Sequence, residues 1–453
     1  MNKSLTVIIA ACRIYHVALA TVIDTFKLRW HNDIMLELFS VKNYRNLILD
    51  EPVTLKALNV FIGPNGAGKS NLFESTRFLS DSLQNGMHKA FQDRGGASSI
   101  LNKNLPLPSE ITFKWQFSAI EAISQGIPVE YLLEMQLLQN LSFEIKKERL
   151  QEIRPRRAGA ERNWIYLDFS YGHGVVNRYD DIVPTGFEQR DLYKRENIGD
   201  EVSEQKDRVL PNELAMKEIA SRTAYPALHY IRSEVSSWAF YNGNNMNVSA
   251  IQNQPSLIDP LQYYLSAGGE NLAIMLYNLT SRDEEGFESI LHRILTALCE
   301  DFEDLKFPLL DSNHIEMRWK SKNFRNKPLT LKELSDGTIR MLCWIAILAH
   351  PKPSSLICID EPELGLHPAW IPILADLIKS ASKRSQILVA THSPDLLDYF
   401  SDRLDDILVT ESDEHGMAVF RRLDTEELSH WLEKFRLGEM YRKREPVIGG
   451  WPY

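Results

Sequence analysis

Apolar positions along this chain recur with two different periods, and the change of period divides it. Ala57–Ile62 is a short, mostly apolar run, the pattern of a buried strand. Asn71–Leu83 follows with Leu72, Phe78, Leu79 and Leu83 at helical spacing. The same alternation returns far downstream. An apolar helix is predicted over Ile339–Ala349, a buried strand over Leu356–Ile359 and a helix from Ala369. A second buried strand starts at Gln386, and a helix then runs to Phe400. Between the two blocks the period falls to two. Ile111–Phe117, Tyr131–Leu138, Leu141–Lys147 and Trp164–Phe169 read as strands of an antiparallel sheet on the core. Glu270–Leu279 and Phe287–Leu298 read as amphipathic helices. Phe187–Val209 is charged, lacks apolar periodicity and reads as a loop. No sustained heptads occur, which excludes a long coiled-coil arm.

The ends carry weaker patterns. Leu36–Val41 reads as a strand, so a natural start at Met35 would leave residues 1–34 as an extension. Val7–Ile23 is largely apolar but contains Arg13 and His16 and is short for a membrane span. Past the second block, Asp406–Thr410 and Met417–Arg422 suggest a hairpin around Glu414-His415-Gly416. Asp424 would cap a helix to about Phe435, with Glu427 completing a capping box. The tail from Arg436 to Trp451 is expected to be only partly ordered.

Composition narrows the classes. The 453 residues allow two or three domains, or one domain with a large insertion. A hydrophobic share of 44% with 25% charged residues is ordinary for a globular protein. A net charge of −10 argues against a generally basic nucleic-acid coat, though not against a local basic groove. Cys12, Cys299, Cys343 and Cys358 lack ligand spacing; Cys343 and Cys358 sit in apolar runs, so buried reduced thiols and a cytoplasmic location are expected. Arg154-Pro155-Arg156-Arg157 with Arg162 fits a solvated loop, phosphate contact being the alternative. Tyr230-Ile231-Arg232-Ser233 and Trp238–Tyr241 fit packed β-structure, a base-stacking platform being the alternative.

The chemistry lies at the strand ends. Gly63-Pro64-Asn65-Gly66-Ala67-Gly68-Lys69-Ser70 has the pattern GxxxxGK[ST] between a strand and a helix. Its glycines let backbone N–H groups face phosphate oxygens, and the helix start adds a positive dipole end. Lys69 supplies a charge for the β- and γ-phosphates, and Ser70 a hydroxyl for Mg²⁺. Asp360 and Glu361 close the strand Leu356–Ile359, the edge where open α/β sheets bind ligands. Asp360 suits the Mg²⁺ shell and Glu361 suits a general base for water. His392 ends the next strand, with Ser393 and Pro394 as the start of a helix, and is placed to contact a terminal phosphate. Ser335-Asp336-Gly337 opens the helix to Ala349 and offers an anion site, or an ordinary N-cap.

Together these elements resemble the ATP-binding-cassette type of P-loop ATPase. Gly63–Ser70 matches its Walker A loop and Ile357–Glu361 its Walker B. Ser335-Asp336-Gly337 is similar to its signature, with an acid after the serine. His392 matches its switch histidine. Gly365-Leu366-His367-Pro368 stands at its D-loop without the aspartate. The phrasing of Lys42-Asn43-Tyr44-Arg45, Asp360–Glu363 and Thr391–Pro394 is similar to the RecF, SMC and OLD-like group. Stand-alone ATPases of the OLD-like branch are the most similar; the stretch after His392 is short for that branch's Toprim domain and lacks its acidic constellation, so no intrinsic DNA cleavage is expected. Gln92 and Arg94-Gly95-Gly96 lie where the Q-loop belongs, with no role assigned.

The resemblance implies an α/β fold, an ABC-ATPase-like P-loop core with a large inserted α+β subdomain. The core would span 35–110 and 326–412, the insertion with a helical lobe 111–325, and a hairpin, helix and tail 413–453. It implies ATP and Mg²⁺ as cofactors, and a homodimer or larger homo-oligomer closed through the ATP sites. Lys69, Glu361 and His392 would be catalytic, and Ser70 and Asp360 would bind the metal. Asn65, Gly66, Ala67, Gly68, Lys69, Ser70 and Asn71 would hold the nucleotide, with Ser335 and Gly337 of the second protomer. The work driven would be sensing or scaffolding for a separate effector, such as a nuclease, in anti-phage defence. DNA repair or chromosome maintenance on bound DNA is the alternative. A transporter subunit fits poorly, and no membrane partner is implied.

Overall fold

The computed structural model describes residues 34–449, except 125, 157–161, 178–194, 198–208, 221–224, 254–255, 325–326 and some positions between 425 and 433. The expectations for residues 1–33, for most of Phe187–Val209 and for Glu427 lie outside the described residues. Arg195–Asn197, inside the stretch read as a loop, pairs with Val175–Asn177.

Two sheets organise the chain. The first has the order Ala239–Asn242, Leu356–Asp360, Gln386–Ala390, Leu58–Ile62, Ile407–Ser412, Ala418–Arg422. Its members run parallel except the last, which returns antiparallel. The second is a nine-stranded antiparallel sheet. Ser109–Phe117, Val129–Leu137, Phe143–Glu152 and Ile165–Ser170 are successive neighbours in it, and Leu36–Tyr44 joins it beside Ser109–Phe117. The period-two stretches are therefore strands, as their alternation predicts.

The parallel strands are buried on both faces, which explains their continuous apolar runs. Val60, Ile359 and Val389 face helices Leu272–Arg282, Phe287–Leu298, Asp336–Leu348 and Ile371–Ala381. Phe61, Cys358 and Leu388 face the opposite layer, where helix Lys69–Asn85 and the antiparallel sheet meet. Phe73 of that helix meets Phe61 edge-on at 5.6 Å, and Phe78 stacks on Phe113 at 5.7 Å. Full burial of one such ring is worth about 1.5–3 kcal/mol. A single glutamine stitches the sheets together. Gln386, 2% exposed, accepts from the Leu36 N–H at 2.9 Å and donates to the carbonyls of Leu36 at 2.7 Å and Lys56 at 3.0 Å.

Two expected domain bounds need correction. Ala239–Asn242 falls within 111–325, yet it is the edge strand of the core sheet beside Leu356–Asp360. Ala418–Arg422, placed with the C-terminal appendage, closes the other edge of that sheet. Within the tail, expected to be only partly ordered, Leu437–Lys443 is a helix whose Leu437, Met440 and Tyr441 are buried. Ala239–Asn242 is too short to show periodicity and is fixed by a partner distant in sequence, Leu356–Asp360.

The aromatic stretch is packed, but only Ala239–Asn242 is a strand: Tyr230–Ser233, expected as β-structure, lie in helix Pro226–Ser236, where Arg232 donates to the Lys217 carbonyl at 3.0 Å, and Trp238 and Tyr241 are buried. Arg156 is structural as well, its Nε lying 2.9 Å from both oxygens of buried Glu152. Cys343 and Cys358 are buried free thiols.

Glu148 is wholly enclosed. It accepts from Tyr131 Oη at 2.9 Å and from the N–H groups of Ala215 at 2.6 Å and Met216 at 2.9 Å. This seats helix Ala215–Ile219 on the sheet. Burial pushes the carboxyl up from 4.5 to about 7.

Two stability predictions come from these contacts. Gln386→Leu strands an N–H and two carbonyls and should cost roughly 1–3 kcal/mol, measured as the loss in the urea transition. For Glu148, the folded state retains a proton that the unfolded chain releases between 4.5 and about 7. Its contribution is full below that window and fades as pH rises through it. The melting temperature of wild type should therefore fall relative to Glu148→Gln between about pH 5 and pH 8.

Candidate functional site

The carboxyl ends of the parallel strands converge on the glycine loop. Gly63, Gly66 and Gly68 all have positive φ, and helix Lys69–Asn85 starts directly after them. Gly68 requires its lack of a side chain: φ is +114° and a Cβ there would lie 2.6 Å from the Ala418 Cβ. The loop is thus a backbone cradle at a helix N-terminus, the form that accepts phosphate. Lys69 is 5% exposed, and its Nζ donates to the Gly63 and Pro64 carbonyls, each at 2.9 Å. Burial lowers its pKa from 10.5 to about 8, against the pull of Asp360 and Glu361.

Two acids stand opposite. Asp360 ends the strand beside Gln386–Ala390, and its Oδ2 accepts from Ser70 Oγ at 3.1 Å. The converging oxygens of Ser70 and Asp360 fit a hard divalent cation of the Mg²⁺ kind. Burial raises the Asp360 pKa, and such a cation would offset it. Glu361 is the next residue, in left-handed conformation at φ +51°. Its N–H donates to the Ala390 carbonyl at 2.8 Å, which extends the ladder by one rung. His392 Nε2 lies 3.9 Å from Glu361 Oε1, and burial followed by the Lys69 charge lowers the imidazole pKa. The structure therefore gathers Lys69, Ser70, Asp360, Glu361 and His392 at one sheet edge.

Asn71 is also near the loop. Its amide donates to Asn46 Oδ1 at 2.7 Å and accepts from Arg45 at 2.9 Å, while Asn46 donates to the Gly66 carbonyl at 3.3 Å. Asn65 and Gly66 are exposed and Ala67 is buried. Ser335 and Gly337 belong to a different surface. Ser335 is the exposed N-cap of Asp336–Leu348, its Oγ accepting from the Thr338 N–H at 3.2 Å. One turn on, Arg340 donates to the Gly243 carbonyl, tying the start of this helix to the turn beside Glu361.

That turn was not legible as a site. Asn242 Nδ2 lies 3.2 Å from Asp360 Oδ2, and Asn244 Nδ2 donates to Glu361 Oε2 at 2.7 Å. Each acid thus has its own amide, supplied by the edge strand and the turn after it. The available signal was Asn242-Gly243-Asn244-Asn245, an amide cluster directly after an apolar run. Arg94, near the expected Q-loop, instead pairs with Asp81 at 2.9 Å and Glu74 at 3.3 Å, buried over Phe78. A second layer supports the site. Glu363 Oε1 accepts from Thr391 Oγ1 at 2.7 Å and the His392 N–H at 3.3 Å.

A small cleft of about 140 Å³ opens between Ser70, Glu74, Asn242 and Asp360. The larger cleft of about 740 Å³ flanks the same edge strand but is lined by Trp238, Lys352 and Arg384, away from the carboxylates. The smaller cleft is the one that adjoins Asp360 and Ser70.

Residues 58–398 match the family model described as "AAA domain, putative AbiEii toxin, Type IV TA system". The chain belongs to this family. Its fold is similar to that of an SMC head bound to the C-winged helix domain of ScpA, with TM-score 0.51 and 14% identity over 86% of this chain and 99% of that one. An SMC head with an extended coiled coil, derived from Pyrococcus furiosus, is also similar, at TM-score 0.48 and 14% identity over 88% and 99%. A comparison with curated protein sequences finds no match. The expected α/β fold of a P-loop AAA domain is thereby shown, and it is similar to the fold of an SMC head. Among the described residues, no helix is long and apolar enough to cross a membrane.

The amide on Glu361 generates a prediction. Asn244→Ala should lower kcat for nucleotide hydrolysis about 10–100-fold by releasing the Glu361 carboxylate. Nucleotide affinity, set at the glycine loop, should stay within about 2-fold. Steady-state phosphate release across a nucleotide titration separates the two.

Proposed function

We propose that this protein is a Mg²⁺-dependent ATPase that hydrolyses ATP to ADP and phosphate at sites shared between two protomers. The observation that carries the reading is the Ser70–Asp360 hydrogen bond at 3.1 Å with Glu361 and His392 beside it, facing a glycine cradle. The cradle N–H groups and Asn65–Asn71 hold the phosphates. Lys69 leaves the Gly63 and Pro64 carbonyls for phosphate oxygens. Ser70 and Asp360 would hold the metal, which neutralises phosphate charge. Glu361 takes a proton from the attacking water as its oxygen bonds to the γ-phosphorus and the β–γ bridging bond breaks. Asn244 aims Glu361, and His392 contacts the γ-phosphate.

The exposed N-terminus of Asp336–Leu348 supports a composite site. Ser335 and the Gly337 backbone are free to meet the nucleotide of a second protomer, and Arg340 passes that contact to the Asn242–Asn244 turn. ATP would hold the dimer closed, and hydrolysis would release it. In domain terms, the core comprises 35–110 and 326–412 with Ala239–Asn242 and Ala418–Arg422 added as its edges. The rest of 111–325 is the insertion.

The biological reading is a cytoplasmic sensor or scaffold ATPase, of the OLD-like branch, that licenses a separate effector such as a nuclease in anti-phage defence. The family description, with its toxin and toxin–antitoxin terms, supports it. The solved SMC head that carries a ScpA domain supports partner binding by this fold. That same likeness favours the second reading, an SMC-like ATPase acting on DNA in repair or chromosome maintenance.

Light scattering and phosphate release test the ATPase together. Glu361→Gln should bind ATP, accumulate as a dimer or larger assembly, and lose about 10²–10⁴-fold in turnover. Wild-type turnover would remove Glu361 from its role. Ser335→Arg and Lys69→Ala should each be inactive alone, while their mixture should regain part of the activity in heterodimers with one intact site. Heterodimers with no recovery would count against a shared site.

A further inference from the structure

The helix Leu437–Lys443 lies more than 40 residues beyond the switch segment, yet it reaches back to the glycine loop. Tyr441 Oη lies 3.3 Å from the Gly63 carbonyl, to which it donates, and 3.4 Å from the Gly63 N–H, from which it accepts. Burial pushes the phenol up to about 12, so it remains a donor. The Gly63 carbonyl is also where Lys69 Nζ rests, at 2.9 Å. One buried carbonyl therefore has two donors, and one of them must leave to reach a phosphate.

The helix is held by the segment that follows His392. The Gly438 N–H donates to Asp398 Oδ1 at 2.7 Å, and the Leu437 N–H to Ser401 Oγ at 3.3 Å. Arg442 pairs with Asp395. Position 438 tolerates no side chain, because a Cβ would lie 1.9 Å from the Pro394 carbonyl. Tyr441 is thus aimed at the loop by contacts to residues 394–401.

We infer that Tyr441 is a positioning residue for nucleotide capture: its hydroxyl keeps the Gly63 carbonyl satisfied when Lys69 turns to the phosphates. Without it, releasing Lys69 would strand a buried acceptor, and that cost would be charged against nucleotide binding. The helix carrying Tyr441 also links the segment after His392 to the start of the phosphate loop. This inference rests on the nucleotide reading above.

The test compares full-length wild type, Tyr441→Phe and Gly438→Ala, using Mg²⁺·ATP in calorimetry, melting curves without nucleotide, and steady-state turnover. Tyr441→Phe should weaken ATP binding about 5–10-fold, the worth of one hydrogen bond. Its nucleotide-free melting temperature should fall only slightly, through the Gly63 N–H that loses its acceptor, and kcat at saturating ATP should stay within about 2-fold of wild type. Gly438→Ala, which pushes the helix off its seat, should weaken ATP binding to a similar degree and carries the test if Tyr441→Phe does not fold. ATP affinity equal to wild type in both variants overturns the inference. So does a fall in melting temperature with ATP affinity intact, since that marks a purely structural tyrosine. Wild type that binds no ATP removes the nucleotide reading, and the inference with it.

Discussion

Burial of the parallel strands on both faces is the constraint on which this structure depends. Leu58–Ile62, Leu356–Asp360 and Gln386–Ala390 have almost no polar side chains to offer water, so each face needs its own cover. Helices supply one cover; helix Lys69–Asn85 and the antiparallel sheet supply the other. With both faces closed, polar chemistry can emerge only where the strands end. Lys69, Asp360, Glu361 and His392 meet there because their strands are neighbours in the sheet, although up to 323 positions separate them in sequence.

That crowding has an electrostatic cost, which the fold spreads over several residues. Burial raises the pKa of Asp360 and Glu363 and lowers that of Lys69 and His392. Of these, Asp360, Glu363 and Lys69 are held by neutral partners: a hydroxyl and an amide for Asp360, a threonine and an N–H for Glu363, two carbonyls for Lys69. Neutral partners keep the groups in place without cancelling their charge. A phosphate and its cation would favour the charged forms that burial disfavours.

Local pattern made much of this legible. The glycine loop, the acid pair and His392 each occupy a strand–loop–helix transition whose residues are contiguous, so motif and structure coincide. The period-two strands are also where the alternation placed them, because one face packs and the other does not. What the sequence concealed depends on distant partners. The four residues Ala239–Asn242 are too few to show a period, and only pairing with Leu356–Asp360 makes them a core strand. Asn242 and Asn244 acquire meaning from that pairing. Arg156 and Arg94 carry charge that looks available in sequence, but buried Glu152 and Asp81 claim it. Tyr441 sits in a polar, glycine-containing tail and could not be assigned without the helix it belongs to.

Glu361 holds a left-handed backbone that glutamate adopts reluctantly, at φ +51°. Glycine or asparagine would sit there with less strain, by something on the order of 1 kcal/mol. Selection for folding alone would thus favour replacing the acid, whereas selection for hydrolysis would keep it. Natural variation at this one position therefore becomes a historical record: lineages that retain the ATP-binding fold but abandon turnover should drift first to glycine or asparagine at 361, leaving the glycine loop intact.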